Sequence, residues 1–280
     1  MILGIDHVDF RVPDVDAAIR FYCEGLGLTL VRRDDSNGIA ITPDGVILEI
    51  SPEGSDQGDK SGITHVCYNT WDVDKTFERA LEYGAVPSRE SDPLPYTYKN
   101  LRMAFVRTPS GEEIEFWSIR RPDRDFGEPI PGNCYIKHFV HVAMTVPDMY
   151  ACVRFYEGLG ARLKTDWEWG CSMALPDGRE FELFSGGEVL IGKQESYTHM
   201  CLLTEDVDAE LERITALGGH VAHEPYDWSN LRIAFAVGLA GEVIELFQFY
   251  DDGRIPDVFV KPPTALPDLF AEESGEGAYE

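Results

Sequence analysis

No stretch of this 280-residue chain approaches the ~20 consecutive apolar residues that a bilayer-spanning helix needs. The opening MILGIDHVDF also lacks the charged and long apolar regions of a secretion signal. Cysteine is sparse: six residues (23, 67, 134, 152, 171, 201) are scattered without a C-x-x-C pair. That excludes a dense disulfide framework and suits a reducing, cytoplasmic compartment. Positive charge is scarcer still, with 24 Lys and Arg against 50 Asp and Glu and a formal charge of −26. Such a surface repels phosphate backbones, so the partners expected are small molecules, with no nucleic acid and no membrane. A generally acidic or salt-adapted proteome accounts for the excess without any function. Part of it is local, in the Pro- and Gly-rich tail 251–280, which is expected to be poorly ordered.

What the chain does have is repetition. HVDFRVPDVDAAIRFY at His7 returns as HVAMTVPDMYACVRFY at His141, 134 residues later. ITHVCYNTWDVD at 63–74 and YTHMCLLTEDVD at 197–208 keep the same displacement, and PYTYKNLRMAF at 95–105 matches PYDWSNLRIAF at 225–235. GEEIEFW at 111–117 closes the first copy and GEVIELF at 241–247 the second. This is duplication along the chain, with halves at 1–119 and 136–250 and a Pro-, Gly- and charge-rich linker at 120–135. Each half divides again, at 1–60 and 61–119 and at 136–192 and 193–250. Every quarter runs from an alternating strand through an Asp-rich helix start, a helix ending near glycine, and further short strands. The spacing predicts α+β architecture built from four βαβββ units, not a doubly wound parallel sheet.

Four of the seven histidines occupy one place in the four units: His7, His65, His141 and His199. Each unit's last strand carries a glutamate between large apolar residues: Glu49, Glu115, Glu182 and Glu245. A lone strand histidine is usually a satisfied core residue. A buried carboxylate is costly unless it is paired or bound to a cation, and here both recur in register. Two imidazoles and two carboxylates per half make a ligand set for a first-row divalent metal, up to two ions per chain. Glu113 and Glu180 share strand parity with Glu115 and Glu182, but their repeat partners are Val243 and Ile47. Parity adds Asp9, Arg11, Cys67, Asn69, Ser51 and Trp117 to the first cavity, and Ala143, Thr145, Cys201, Leu203, Phe184 and Phe247 to the second. The first is thus polar and the second mostly apolar. Cys67 and Cys201 read as small pocket wall, and Trp117 and Phe247 could equally be core.

With this set in view, residues 3–119 and 136–249 resemble the vicinal oxygen chelate superfamily, which includes glyoxalase I, bleomycin-resistance proteins and extradiol dioxygenases. The resemblance implies that paired βαβββ units form a half-closed, eight-stranded cup around a metal. The quartets His7, Glu49, His65, Glu115 and His141, Glu182, His199, Glu245 are similar to the glyoxalase I pattern. By that resemblance, a divalent ion (Ni, Co, Mn, Zn or Fe) polarises vicinal substrate oxygens and stabilises an enediolate while a carboxylate moves the proton. Glu115 and Glu49, with their copies Glu245 and Glu182, are the catalytic candidates.

FVRTPSGEEIE at 105–115 is also similar to the extradiol signature, but Phe105 and Phe235 stand where its tyrosine is expected, and His220 and His223 lie nearby but poorly placed. Substrate contacts are expected from Asp9, Arg11, Cys67, Asn69, Trp117 and Arg102. Arg102 and Arg232 recur inside NLR, and a surface or structural role is their alternative. The leading expectation is a metal-dependent isomerase, epimerase or lyase acting on a small oxygenated carbonyl compound, as a monomer or homodimer. An iron(II) ring-cleaving dioxygenase and a non-catalytic binding or resistance protein are the alternatives.

Overall fold

The computed structural model describes residues 1–34, 36–54, 62–88, 94–98, 101–118, 132–133, 135–186, 197–228 and 230–250. Most of the expected linker and all of the expected tail lie outside these residues.

Each helix begins where an aspartate side chain satisfies an otherwise unpaired amide, worth about 1 kcal/mol. Asp14 accepts from Ala17 N ahead of α1 (Val15–Ile19), and Asp72 from Lys75 N ahead of α2 (Val73–Glu82). Asp148 accepts from Ala151 N ahead of α3 (Met149–Gly158), and Asp206 from Ala209 N ahead of α4 (Val207–Ala216). α1 continues into a π-helical stretch, Arg20–Gly25, whereas α3 is regular. The first copy has one more residue between RFY and GLG, and a π turn absorbs it while keeping both ends of the motif in place.

The two glycines of GLG do different work. Gly27 and Gly160 take left-handed φ of 77° and 106° just beyond the helices. Gly25 and Gly158 allow close approach: a Cβ there would lie 2.0 Å from Leu217 Cδ1 and 2.4 Å from Tyr83 Cε1, respectively. Each of those contacts reaches into the other half.

The first half forms one sheet from β1 (Ile2–Val12), β2 (Thr29–Arg33), β3 (Gly38–Ile41), β4 (Ile47–Pro52), β5 (Gly62–Thr70), β6 (Val86–Pro87), β7 (Tyr96–Tyr98), β8 (Leu101–Arg107) and β9 (Glu113–Ser118). Its order is β2-β3-β4-β1-β5-β9-β8-β6, with β7 also paired to β8. The second half forms another from β10 (Ile136–Val146), β11 (Arg162–Asp166), β12 (Gly170–Ala174), β13 (Glu180–Ser185), β14 (Tyr197–Thr204), β15 (His220–Trp228), β16 (Leu231–Val237) and β17 (Val243–Phe249). Its order is β11-β12-β13-β10-β14-β17-β16-β15. The architecture is α+β, and the units pair within each half, through β1 with β5 and β10 with β14. β6 and β7 together hold the place on β8 that β15 fills on β16. The first copy carries four more residues before PYTYKN, since the displacement falls from 134 to 130, and the excess splits its edge strand.

Val8, Phe10 and Val12 face the helices and join an apolar core that runs through both halves. His7, Asp9 and Arg11 point the other way and are nevertheless buried. A single sheet layer buries its second face only by curling over it, so each sheet is a cup with helices outside. The halves are tied reciprocally. Tyr22 Oη donates to Glu242, and Tyr156 Oη donates to the equivalent Glu112 at 3.3 Å. Ile2 N reaches Leu159 O at 2.8 Å, and the equivalent Ile136 N reaches Leu26 O at 3.3 Å.

Candidate metal centres

β4, β1, β5 and β9 are successive neighbours, and their register focuses four side chains on one spot. Asp9 lies opposite both Glu49 and His65, and Cys67 opposite both His7 and Glu115. Glu115 Oε2 is 3.1 Å from His7 Nε2 and 3.1 Å from His65 Nε2, while Glu49 Oε2 stands at 3.8 Å from His7 Nε2. In the second half, Glu245 Oε2 is 3.1 Å from His141 Nε2 and 3.2 Å from His199 Nε2, with Glu182 Oε2 at 3.5 Å from His141. Within each quartet one carboxylate is deep and one is nearer the mouth. Glu115 is 3% exposed and Glu49 26%.

The electrostatics follow this depth. Burial alone would raise Glu115, but hydrogen bonds and charge from His65 and His7 outweigh it and bring the carboxyl down to about 2. Glu245 is brought to about 2 in the same way, against burial, by His141 and His199. Glu49 and Glu182 shift upward instead, because burial outweighs the attraction of the imidazoles. A divalent cation fits both quartets. His7 Nε2 is buried beside two carboxylates yet makes no well-directed hydrogen bond among the described residues. His141 Nε2 and His199 Nε2 face each other at 3.2 Å, an arrangement of two lone-pair donors that suits a shared ion.

The surroundings of the two quartets differ. In the first, Asp6 Oδ1 is 3.1 Å from His7 Nδ1, Thr64 Oγ1 is 3.0 Å from His65 Nδ1, and Trp117 Nε1 donates to Glu115 Oε1. In the second, Thr198 Oγ1 lies 3.2 Å from His199 Nδ1, but Val140 replaces Asp6 and Phe247 replaces Trp117. Val140, Cys201, Leu203 and Phe247 cluster there as an apolar wall.

Of the expected substrate contacts, Asp9 and Arg11 are buried on the cup face, with Arg11 Nε 3.6 Å from Asp9 Oδ1. Cys67 is fully buried between His7 and Glu115, and Trp117 packs on His7 at 4.5 Å between ring centroids. Asn69 sits one step further along β5, opposite Trp117. Arg102 requires correction. Phe105 meets His65 at 5.5 Å, so odd-numbered positions of β8 face the cup and Arg102 faces the helices. There it binds Asp74 of α2, with Nε–Oδ2 at 2.9 Å, as Arg232 binds Asp208 of α4 at 2.7 Å. The arginine of NLR is a strand-to-helix clamp. The rejected Glu113 and Glu180 are paired with Arg107 and Lys164. Asp6 escaped the parity rule because a register shift between Ile5 and His7 brings it to the ring of its neighbour.

Residues 4–116 and 138–253 match the family model for the Glyoxalase/Bleomycin resistance protein/Dioxygenase superfamily. The chain belongs to this superfamily. It is 28% identical over 243 residues to a probable chloroplastic lactoylglutathione lyase of Arabidopsis thaliana, covering 78% of this chain and 65% of that one. The match thus spans just under two thirds of that relative. Among solved structures it is similar to a Mn(II)-bound glyoxalase from Novosphingobium aromaticivorans, with a TM-score of 0.64 at 17% identity, covering 95% and 94% of the two chains. It is equally similar to the 2,3-dioxygenase LapB from Pseudomonas sp. KL28, with a TM-score of 0.64 at 18% identity, covering 91% and 95%. At these identities the likeness is one of fold. No helix among the described residues is long and apolar enough to cross a membrane.

β15 does not follow simple alternation. Register shifts flank His223, so His220, His223, Tyr226 and Trp228 all oppose the odd-numbered, cup-facing residues of β16. His223 lies 6.4 Å from Phe235, whose ring is 5.6 Å from His199. A histidine and a tyrosine therefore do face the second cup, which simple alternation along β15 hides.

Proposed function

We propose that this chain is a divalent-metal-dependent enzyme of the glyoxalase I-like type, an isomerase, epimerase or lyase acting on a small oxygenated carbonyl compound. The reading rests on the convergence, twice, of two imidazole Nε2 atoms and two carboxylates within 3.8 Å of one another's ligand atoms along the pairs described. A bound cation would polarise neighbouring substrate oxygens and acidify the C–H beside them. The chain's residues divide the remaining work by depth. His7, His65 and Glu115, with His141, His199 and Glu245, are the buried holders. Glu115 and Glu245, each within 3.2 Å of both imidazoles of its quartet, are placed to hold the ion rather than to move a proton. Glu49 and Glu182, nearer the mouth and shifted upward, are the better proton acceptors. Asp9 and Arg11 bind polar groups of the substrate in the first cup.

The deciding measurement is the metal content of the chain purified without chelators or oxygen. About two ions per chain are expected, with Glu115→Gln and Glu245→Gln each losing about one. A chain that neither carries nor takes up metal would remove this reading. With a turned-over α-oxo or epimerisable substrate in hand, the double variant Glu49→Gln with Glu182→Gln should keep its metals and lose at least about 100-fold in kcat.

A second reading, an iron(II) ring-cleaving dioxygenase, is supported by His223 and Tyr226 on the second cup and by the tight two-His, one-Glu triads. Oxygen consumption by the iron-loaded chain with catechol would favour it; none would discard it.

A further inference from the structure

The rim of the second cup carries a structure that the metal reading does not require. Between β11 and β12 the chain turns through Trp167, Glu168 and Trp169. Trp167 N donates to Gly170 O at 2.8 Å, and Glu168 N to Asp166 Oδ1 at 2.8 Å. Glu168 has φ of 72°, the single left-handed non-glycine among the described residues, a conformation that costs free energy and persists only where surrounding structure enforces it. The turn sets the two indoles 5.7 Å apart at 23°, and Trp169 then stacks on Phe184 at 5.6 Å and 12°. Phe184 in turn lies 6.2 Å from the ring of His199. Three near-parallel rings thus stand in a row, with Phe184 at the end next to a metal-ligand candidate.

The row is built into the sheet. Ser185 N donates to Trp169 O at 2.9 Å, which ties the backbone that carries the middle ring to β13. Gly170 clears the floor: a Cβ there would lie 2.7 Å from Phe184 Cδ1, so a side chain at 170 would lift that ring. None of the three rings belongs to the apolar core, and Trp169 is 64% exposed. On the opposite edge of the same sheet, Tyr226 and Trp228 also stand exposed on cup-facing positions. The first cup places its rings on the other flank, where Tyr96 of β7 stacks on Phe105 and Phe105 meets His65. Ser51 holds the place of Phe184, and the corresponding strands present Val31, Ile39 and Ile47 as a small aliphatic cluster.

We propose that the second cup is an aryl subsite: it takes compounds in which an aromatic ring adjoins the oxygen-bearing carbons, the ring lying along Phe184 and Trp169 and the oxygens turned toward the His141, Glu182, His199, Glu245 quartet. The orientation rests on the metal-centre reading given above; the ring preference rests on the aromatic row alone. The two cups of one chain thus carry their aromatic side chains at different places, with Phe184 where the first cup has Ser51.

The test uses the full chain, metal-loaded, with mandelate and lactate, which share a 2-hydroxycarboxylate and differ in phenyl against methyl. Binding is followed by calorimetry, and metal content is measured separately on the same samples. Mandelate should bind about tenfold or more tightly than lactate, at one site per chain. Trp169→Ala, an exposed position, and Phe184→Ser, the residue of the first cup, should each bring the ratio to within about twofold with metal content unchanged. Tyr98→Ala, an exposed position on β7 of the first half, should leave the ratio as it is. Equal affinities in the wild-type chain, a ratio that survives both second-cup variants, or a ratio lost in Tyr98→Ala would each overturn the proposal. So would a wild-type dimer that Trp169→Ala converts to monomer while neither ligand is discriminated, since a second copy would then be the occupant. A chain without metal that still prefers mandelate through Trp169 keeps the aryl subsite and loses the metal reading. A chain with two metals and no preference does the reverse.

Discussion

Among the side chains that distinguish the surroundings of the two quartets are Asp6 against Val140, Trp117 against Phe247, and Arg11 against Thr145. The first two bear directly on how firmly a cation is held. A carboxylate on the far nitrogen of a ligating histidine raises its basicity and fixes its ring, and a donor on the spare carboxylate oxygen fixes the other ligand. Asp6→Val and Trp117→Phe should each weaken the first site for metal by about 10- to 100-fold, read by competition with a chromophoric chelator, while the stoichiometry at saturation stays the same. An unchanged affinity would mean that these contacts hold the fold and not the ion. The quartets themselves were legible in the sequence because four copies in register expose any position whose chemistry is retained. Arg102 stands out for the same reason, and of its two readings the structural one holds. Repetition marks NLR as strongly as it marks the histidines, but the pressure behind it is the clamp onto Asp74 and Asp208, on the opposite face of the sheet. Recurrence says that a residue has a task and leaves its direction to strand parity, which needs a fixed point such as Phe105 on His65 to be set.

At the scale of the element, the last hairpin of each half holds two glutamates that titrate in opposite senses. Burial raises Glu112, so the folded chain keeps a proton there that the unfolded chain releases above about pH 4.3. Its contribution to stability therefore falls as pH rises from that point through the raised folded value. Glu115, at about 2 in the metal-free fold, contributes fully above about pH 4.3 and loses that contribution as pH falls toward about 2. Glu112→Gln keeps an acceptor for Tyr156 and cannot ionise. Thermal unfolding of the metal-free variant should show a higher Tm than wild type at pH 8, with the gap closing near pH 4. A gap that widens toward acid would show that Glu112 is charged in the fold. Elements also mark where sequence reading stopped. The paired units, capping aspartates and alternating strands were all readable from period and composition. The shifts in β15 were not, because a bulge changes which face a residue takes without changing its neighbours in sequence. The broken edge of the first sheet was recorded only as a change of displacement from 134 to 130.

Across the whole molecule, the halves share one core and exchange contacts in matched pairs. Tyr22→Phe and Tyr156→Phe each remove the donor to a buried carboxyl and should cost about 1–3 kcal/mol in chemical unfolding. The two variants should behave alike and lower a single transition, because neither half has a core of its own to melt separately. Two resolved transitions would contradict the shared core. The formal charge of −26 adds a general repulsion, so raising salt from about 10 mM to about 0.5 M should raise Tm as the Debye length shrinks to a few ångströms.

The crossed tyrosine–glutamate pairs also bear on how such a chain comes to exist. A single half contains both a helix tyrosine and a hairpin glutamate, the two ends of the clasp, so two copies of an undoubled ancestor would have closed on each other through the contacts now seen within one chain. Within one chain the clasp stands in duplicate at the shared core, while each cup, on the far side of its sheet, carries a lining of its own.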